Sequence, residues 1–215
     1  MATSVSFDDR NSGFQAGIIN GNVTTQFTLV QSELFNQACL RDLRTTNPYD
    51  DKERIKNTNG GLLKDSYCWI LDNEEFKQWQ YNQNNRLLWI RGDPGKGKTM
   101  LLCGIIDELT QLNEDTANIS FFFCQATDVR INSATSVLRG LIYLLAEKNP
   151  SLLSHVRARY DQSGKALFED VNAWNALSTI FMDILKDLSL KSAYFIIDAL
   201  DECANGLRSL LDFIV

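Results

Sequence analysis

The chain has 215 residues, 44% of them hydrophobic, and a net charge of −6 at pH 7, so one domain of ordinary size with a buried core is affordable, plus appendages. The acidic balance excludes a general nucleic-acid binder, which needs a basic face. Five cysteines (Cys39, Cys68, Cys103, Cys124 and Cys203) are odd in number and lack CxxC spacing, which excludes a disulfide or zinc framework and points to reduced thiols in a cytoplasmic setting.

Residues 1–11 are polar and contain no apolar stretch of the signal-peptide kind, and no later run reaches the length of a membrane span. Membrane insertion is therefore not expected. Residues 1–27 are rich in Asn, Gly, Ser, Thr and Gln, with isolated apolar residues and no helical period. Within them, QAGIIN and NVTTQF read as two short β-prone runs on either side of Asn20-Gly21, a strong turn signal. From 28 to 46, Leu29, Leu34, Phe35, Ala38, Cys39 and Leu43 sit near helical spacing. The segment NPYDD at 47–51 reads as a turn, 64–71 as a short helix, 74–81 as a helix and 80–85 as a polar loop.

The pattern then alternates. The apolar run 87–90 reads as a buried strand. It is followed by GDPGKGKT at 92–99, which matches G-x-x-x-x-G-K-S/T in the strand–loop–helix context that gives the pattern physical meaning. Gly92, Asp93, Pro94, Gly95, Lys96, Gly97, Lys98 and Thr99 are thus the expected phosphate-binding residues. The glycines let backbone N–H groups close on a polyphosphate, and the next helix turns its positive end toward it. Lys98 would reach the β- and γ-phosphates, and the Thr99 hydroxyl would ligate Mg²⁺. Downstream, the sequence predicts helices over 100–112, 134–147, 150–160 and 174–188, and strands over 119–124 and 193–197. This alternation predicts an α/β fold, a P-loop NTPase parallel sheet flanked by helices.

The second strand-end motif is YFIIDALDE. Asp198 ends an apolar strand and is the expected Mg²⁺ partner of Thr99. Glu202 is the first choice for orienting or deprotonating an attacking water and Asp201 the second. His155, the single histidine, and Arg130 read as structural or solvated residues. The apolar stretch 210–215 closes the chain without a cap, so the chain reads as the amino-terminal part of a longer protein.

Taken in order, GGLLKDSYCWIL, LLWIRGDPGKGKT, FFFCQATD, SVLRGLIYLL and YFIIDALDEC resemble the NACHT domain of fungal STAND-class receptors, relatives of NOD-like receptors. The resemblance covers about 45–215. It implies an ATP- or GTP-dependent switch with Mg²⁺, closed when resting and oligomeric when active. It places phosphate and metal binding at 92–99, the acidic site at Asp198, Asp201 and Glu202, and contacts to the nucleobase side at 54–64. It divides the chain into a motif at 1–27, a helical linker at 28–60 and the first part of the NACHT domain at 61–215. The segment NSGFQAGIINGNVTTQF also resembles the HET-s-type or sigma-type amyloid motifs of such receptors. Its Asn, Gln, Ser and Thr can ladder, its Ile and Val can pack dry, and no proline interrupts stacking. The implied partners are nucleotide, further copies of the chain, and a cell-death effector with a matching motif. The rival expectations are an NTPase whose turnover is itself the output, and a scaffold that never forms cross-β structure.

Overall fold

The computed structural model describes residues 26–82, 84–112 and 117–215. Two units meet after Phe35, Met1–Phe35 and Asn36–Val215. Of the first, only the opening turns of helix α1 (Gln26–Leu43) are described. The amyloid-type motif expected at 1–27 lies outside the described residues, apart from helical Gln26 and Phe27.

In the second unit the last turns of α1 are built into the core through Cys39 and Leu43, both fully buried. The unpaired carbonyls at the end of this helix meet a buried cation. Arg139 donates from Nε to the Leu43 carbonyl at 2.8 Å and from Nη2 to the Asp42 carbonyl at 2.7 Å. Its guanidinium also lies 5.5 Å from the centre of the Phe168 ring. The Tyr160 hydroxyl donates to the Asp42 carboxylate at 2.6 Å.

The turn expected at 47–51 is the start of helix α2 (Pro48–Thr58). Asn47 accepts from the Tyr49 amide at 3.0 Å and Pro48 occupies the first helical position, so these turn-forming residues serve as a cap. The helix expected at 64–71 is two single 3₁₀ turns, Lys64–Ser66 and Cys68–Ile70. Helix α3 (Glu74–Tyr81) falls where expected, with Asn73 capping the amides of Glu75 and Phe76. Helix α4 (Lys98–Leu112) follows the glycine-rich loop.

Strands β1 (Asn118–Phe123) and β2 (Ala193–Asp198) pair in parallel, with Phe121 opposite Ile196 and Phe123 opposite Asp198. The connection between them holds α5 (Ala134–Lys148), α6 (Leu153–Ser163), α7 (Ala166–Glu169) and α8 (Ala173–Leu185). The four-residue α7 was not expected from the periodicity, which a single turn is too short to display. Helix α5 covers β1 and is apolar nearly all round, because it is buried along most of its length. Helix α9 (Leu207–Ile214) ends the chain.

One expected strand is missing from the ladder. Residues 87–90 are extended but unpaired, and the sheet of the described residues is the two-stranded β1–β2 pair. An apolar run without alternation needs cover on both sides. Here Leu87 and Trp89 are 55% and 49% exposed, while Leu88 and Ile90 pack on the core. Among the described residues no strand flanks this run, and the open edge of β2 stays unpaired.

His155 proves structural. Its Nε2 lies 2.6 Å from Asp187, joining α6 to the segment after α8. The hydrogen bonds from His155 and Ser189 hold the Asp187 carboxyl well below the usual carboxylate range, at about 2. A depressed carboxylate stabilises the fold above its unfolded value of about 3.9 and loses that contribution as pH falls toward 2. Asp187→Asn is therefore expected to flatten stability against pH between about 4 and 2 by up to about one bound proton, read by urea unfolding. An unchanged slope would contradict this assignment.

Candidate functional site

The glycine-rich loop and the end of β2 converge on one place. Gly95 and Gly97 adopt φ of 72° and 78°, the left-handed region that admits glycine without strain. Beyond both lies open space where a side chain would otherwise project. The Lys98 ammonium donates to the carbonyls of Gly92 at 2.7 Å and Asp93 at 3.0 Å, so it closes across the mouth of the loop. Asp93, Pro94 and Lys96 are exposed along the same turn.

Thr99, on the first turn of α4, and Asp198, at the end of β2, line the same cleft. Asp198 is 5% exposed. Burial pushes its carboxyl above the usual range, against the opposing pull of Thr99, the Ala199 amide and the Lys98 charge. A hydroxyl and a carboxylate that line one cleft beside this glycine-rich loop form a sparse donor set. Mg²⁺ accepts such a set because it keeps several waters and takes its remaining ligands from phosphate oxygens. The residues present fit that ion.

After Asp198 the chain turns through Ala199, whose φ of 51° is the one positive value outside glycine among the described residues. This turn lets the Glu202 amide donate back to the Ala199 carbonyl at 2.8 Å and aims the single turn Leu200–Glu202 toward the loop after β1. A left-handed alanine costs about 1–2 kcal/mol. Ala199→Gly is expected to change stability by less than about 0.5 kcal/mol, since relief of strain offsets the gain in unfolded-state entropy. Ala199→Val is expected to cost about 1–3 kcal/mol by the same reasoning. Equal stability of the two variants in thermal melts would count against the strain.

The two other acids part ways. Glu202 accepts from the Ala126 amide at 2.9 Å, whereas Asp201 is exposed. Arg130 is tied to Asp128, with Nε–Oδ1 at 3.0 Å and Nη2–Oδ2 at 2.6 Å, which holds the Asp128 carboxyl at about 2. A cleft of about 2140 Å³ is lined by the loop, by β2 and by Trp89 and Arg91. Arg54, Ile55, Thr58 and Asn59 of α2 also line it. The sequence pointed to that stretch only through resemblance, and it gave no sign of the Glu202–Ala126 contact, which depends on how two loops meet.

The profile of the family described as Nephrocystin 3, N-terminal, matches residues 65–215, which include the loop, Thr99 and the whole acidic motif. The chain belongs to this nephrocystin 3 N-terminal family. Similarity to a curated protein extends further toward the amino terminus than a match to 65–215 alone. The chain is 59% identical over 179 residues to vegetative incompatibility protein HET-E-1 of Podospora anserina. That alignment covers 83% of this chain but 13% of the relative, so the family segment seen here spans about an eighth of that protein. No solved structure matches the chain. Among the described residues of this family member, no helix is long and apolar enough to cross a membrane.

Proposed function

We propose that this chain is the nucleotide-binding part of a fungal NACHT-type signalling receptor, in which bound ATP or GTP controls self-assembly. The observation that carries the reading is that Thr99 and Asp198, far apart in sequence, line one cleft beside the Lys98 loop. Similarity to a vegetative incompatibility protein supports a role in fungal incompatibility signalling.

In this reading the amides of 92–99 and the Lys98 ammonium bind the β- and γ-phosphates, displacing the Gly92 and Asp93 carbonyls from the ammonium. Thr99 and Asp198 hold Mg²⁺, which when bound neutralises charge on the phosphate oxygens. Arg54, Ile55, Thr58 and Asn59 wall the nucleobase side. One of the two following acids, Glu202 or Asp201, orients the attacking water. Hydrolysis is slow and resets a switch. Assembly brings several copies of 1–27 together, and the motif then templates cross-β structure on a cell-death effector in the cytoplasm.

Two measurements test this. Turnover of ATP and GTP by this chain, followed alongside its size in solution, is expected to be slow and linked to the assembled form. Fast turnover by the monomer would remove the switch. A peptide of residues 1–28 is expected to form fibrils with a repeat of about 4.7–4.8 Å, and its failure to do so would remove templating while leaving the nucleotide site standing.

A further inference from the structure

Helix α4 carries Lys98 and Thr99 on its first turn and two acids, Asp107 and Glu108, further along. About 13 Å of helix axis separates Lys98 from Asp107. Both acids reach segments that precede the glycine-rich loop. The Asp107 carboxylate is shared by two lysines one turn apart on α2, with Lys52 Nζ 2.5 Å from Oδ1 and Lys56 Nζ 3.1 Å from Oδ2. The Tyr67 hydroxyl donates to Glu108 Oε1 at 2.9 Å, and the Tyr67 ring fills the space where a side chain at Gly104 would project. Lys52 is 8% exposed, and its ammonium lies 5.7 Å from the centre of the Phe121 ring on β1. A charge so far out of water persists there only while a countercharge meets it. Glu53 approaches the same two ammoniums, at 3.8 and 3.1 Å, but it stands on α2 itself, so Asp107 is the partner that joins α2 to α4. The start of α2 has an anchor of its own, Tyr49 packed edge-to-face on Phe121 with ring centres 5.2 Å apart. Its later turns carry Arg54, Ile55 and Thr58, which line the cleft together with the loop.

We infer that Asp107 is a positioning residue: by holding Lys52 and Lys56 it fixes the α2 wall of the cleft relative to the phosphate loop, and so governs affinity for the nucleoside part of a nucleotide but not for its phosphates. The inference rests on the nucleotide reading above and deepens it. One helix holds the loop at its start and the α2 wall at its middle. Without the Asp107 charge, two ammoniums one turn apart repel each other and turn toward water, which draws the later turns of α2 away from α4. The loop keeps its shape, which Gly95, Gly97 and the first turn of α4 set. One wall of the cleft is then misplaced while the phosphate cradle is intact.

Two ligands separate this role from a general loss of stability. ATP or GTP is measured by titration, and inorganic tripolyphosphate by its competition with fluorescent nucleotide. Asp107→Asn is expected to weaken nucleoside triphosphate binding at least about tenfold and tripolyphosphate binding by less than about twofold. Asp107→Glu, which keeps the charge, is expected to restore nucleotide affinity to within about threefold of wild type. Lys56→Gln leaves the buried Lys52 pair in place, so it is the milder variant, with an expected loss of about threefold for nucleotide alone. Amide hydrogen exchange over residues 55–58 is expected to be at least about tenfold faster in Asp107→Asn, with α4 unchanged. Equal losses for nucleotide and tripolyphosphate would overturn the inference, as would wild-type nucleotide affinity in Asp107→Asn or in Lys56→Gln. Failure of the wild-type chain to bind ATP or GTP would instead sink the nucleotide reading, and exchange over 55–58 would still decide whether Asp107 holds α2.

Discussion

Lys98→Ala is expected to weaken binding of ATP or GTP by at least about a hundredfold, or about 2.8 kcal/mol, in a titration with fluorescent nucleotide. The ammonium closes over the loop, donating to the carbonyls of Gly92 and Asp93. In the proposed nucleotide complex its loss would remove a charge-assisted contact to each of two phosphates while taking nothing from the core. Thermal stability is therefore expected to change little, and fibril formation by the 1–28 peptide is expected not to depend on the residue at all. Unchanged affinity in a folded Lys98→Ala chain would show that the loop is a turn and nothing more.

A large expected effect on stability comes from Gly140. Helix α5 lies so close to β1 that a Cβ at this position would overlap the edge of the Phe122 ring at Cδ2 and Cε2, and that ring is itself 2% exposed. The same helix is fixed by a hydrogen bond from the Ser120 hydroxyl to the Leu141 carbonyl at 2.9 Å, so it cannot simply ride outward. Gly140→Ala is expected to cost about 1–3 kcal/mol despite the better helix propensity of alanine. In a chain of this size that lowers the melting temperature by several degrees, about 2–4 °C for each kcal/mol. Adding Phe122→Leu removes ring atoms from the clash, so the double variant is expected to lose less than the sum of the single changes by about 0.5–3 kcal/mol. Strict additivity would mean that the helix and the ring do not meet in this way.

What could be read from the residues alone follows from how local each signal is. The loop at 92–99 stood out because its glycines, lysine and threonine fall within eight residues, and Gly95 and Gly97 adopt a left-handed φ there. Strands β1 and β2 were legible as unbroken apolar runs, and Asp198 stood out as the carboxylate ending one of them. Residues 47–51 misled because Asn and Pro make turns and helix caps with the same chemistry; only the periodicity after them separates the two, and α2 is too polar to show it. The run at 87–90 misled in the opposite sense. Its composition records what the segment would bury between two partners, and composition carries no information on whether those partners are in place. Arg139 was unreadable for a different reason: a cation buried in an apolar helix makes sense only once the end of α1, almost a hundred positions earlier, presents its carbonyls to it. The Glu202–Ala126 contact is of the same non-local kind.

The central claim is that Thr99 and Asp198 form one half of an Mg²⁺–nucleotide site, and its most direct test is the Mg²⁺ dependence of nucleotide affinity in Asp198→Asn. Asparagine keeps the size of the side chain and one oxygen while removing the charge. In the wild-type chain, adding Mg²⁺ is expected to tighten nucleoside triphosphate binding at least about tenfold, and in Asp198→Asn that gain is expected to shrink to less than about threefold with the chain still folded. A full Mg²⁺ effect in the variant would contradict the account, because the carboxylate buried beside the loop would then hold no part of the ion.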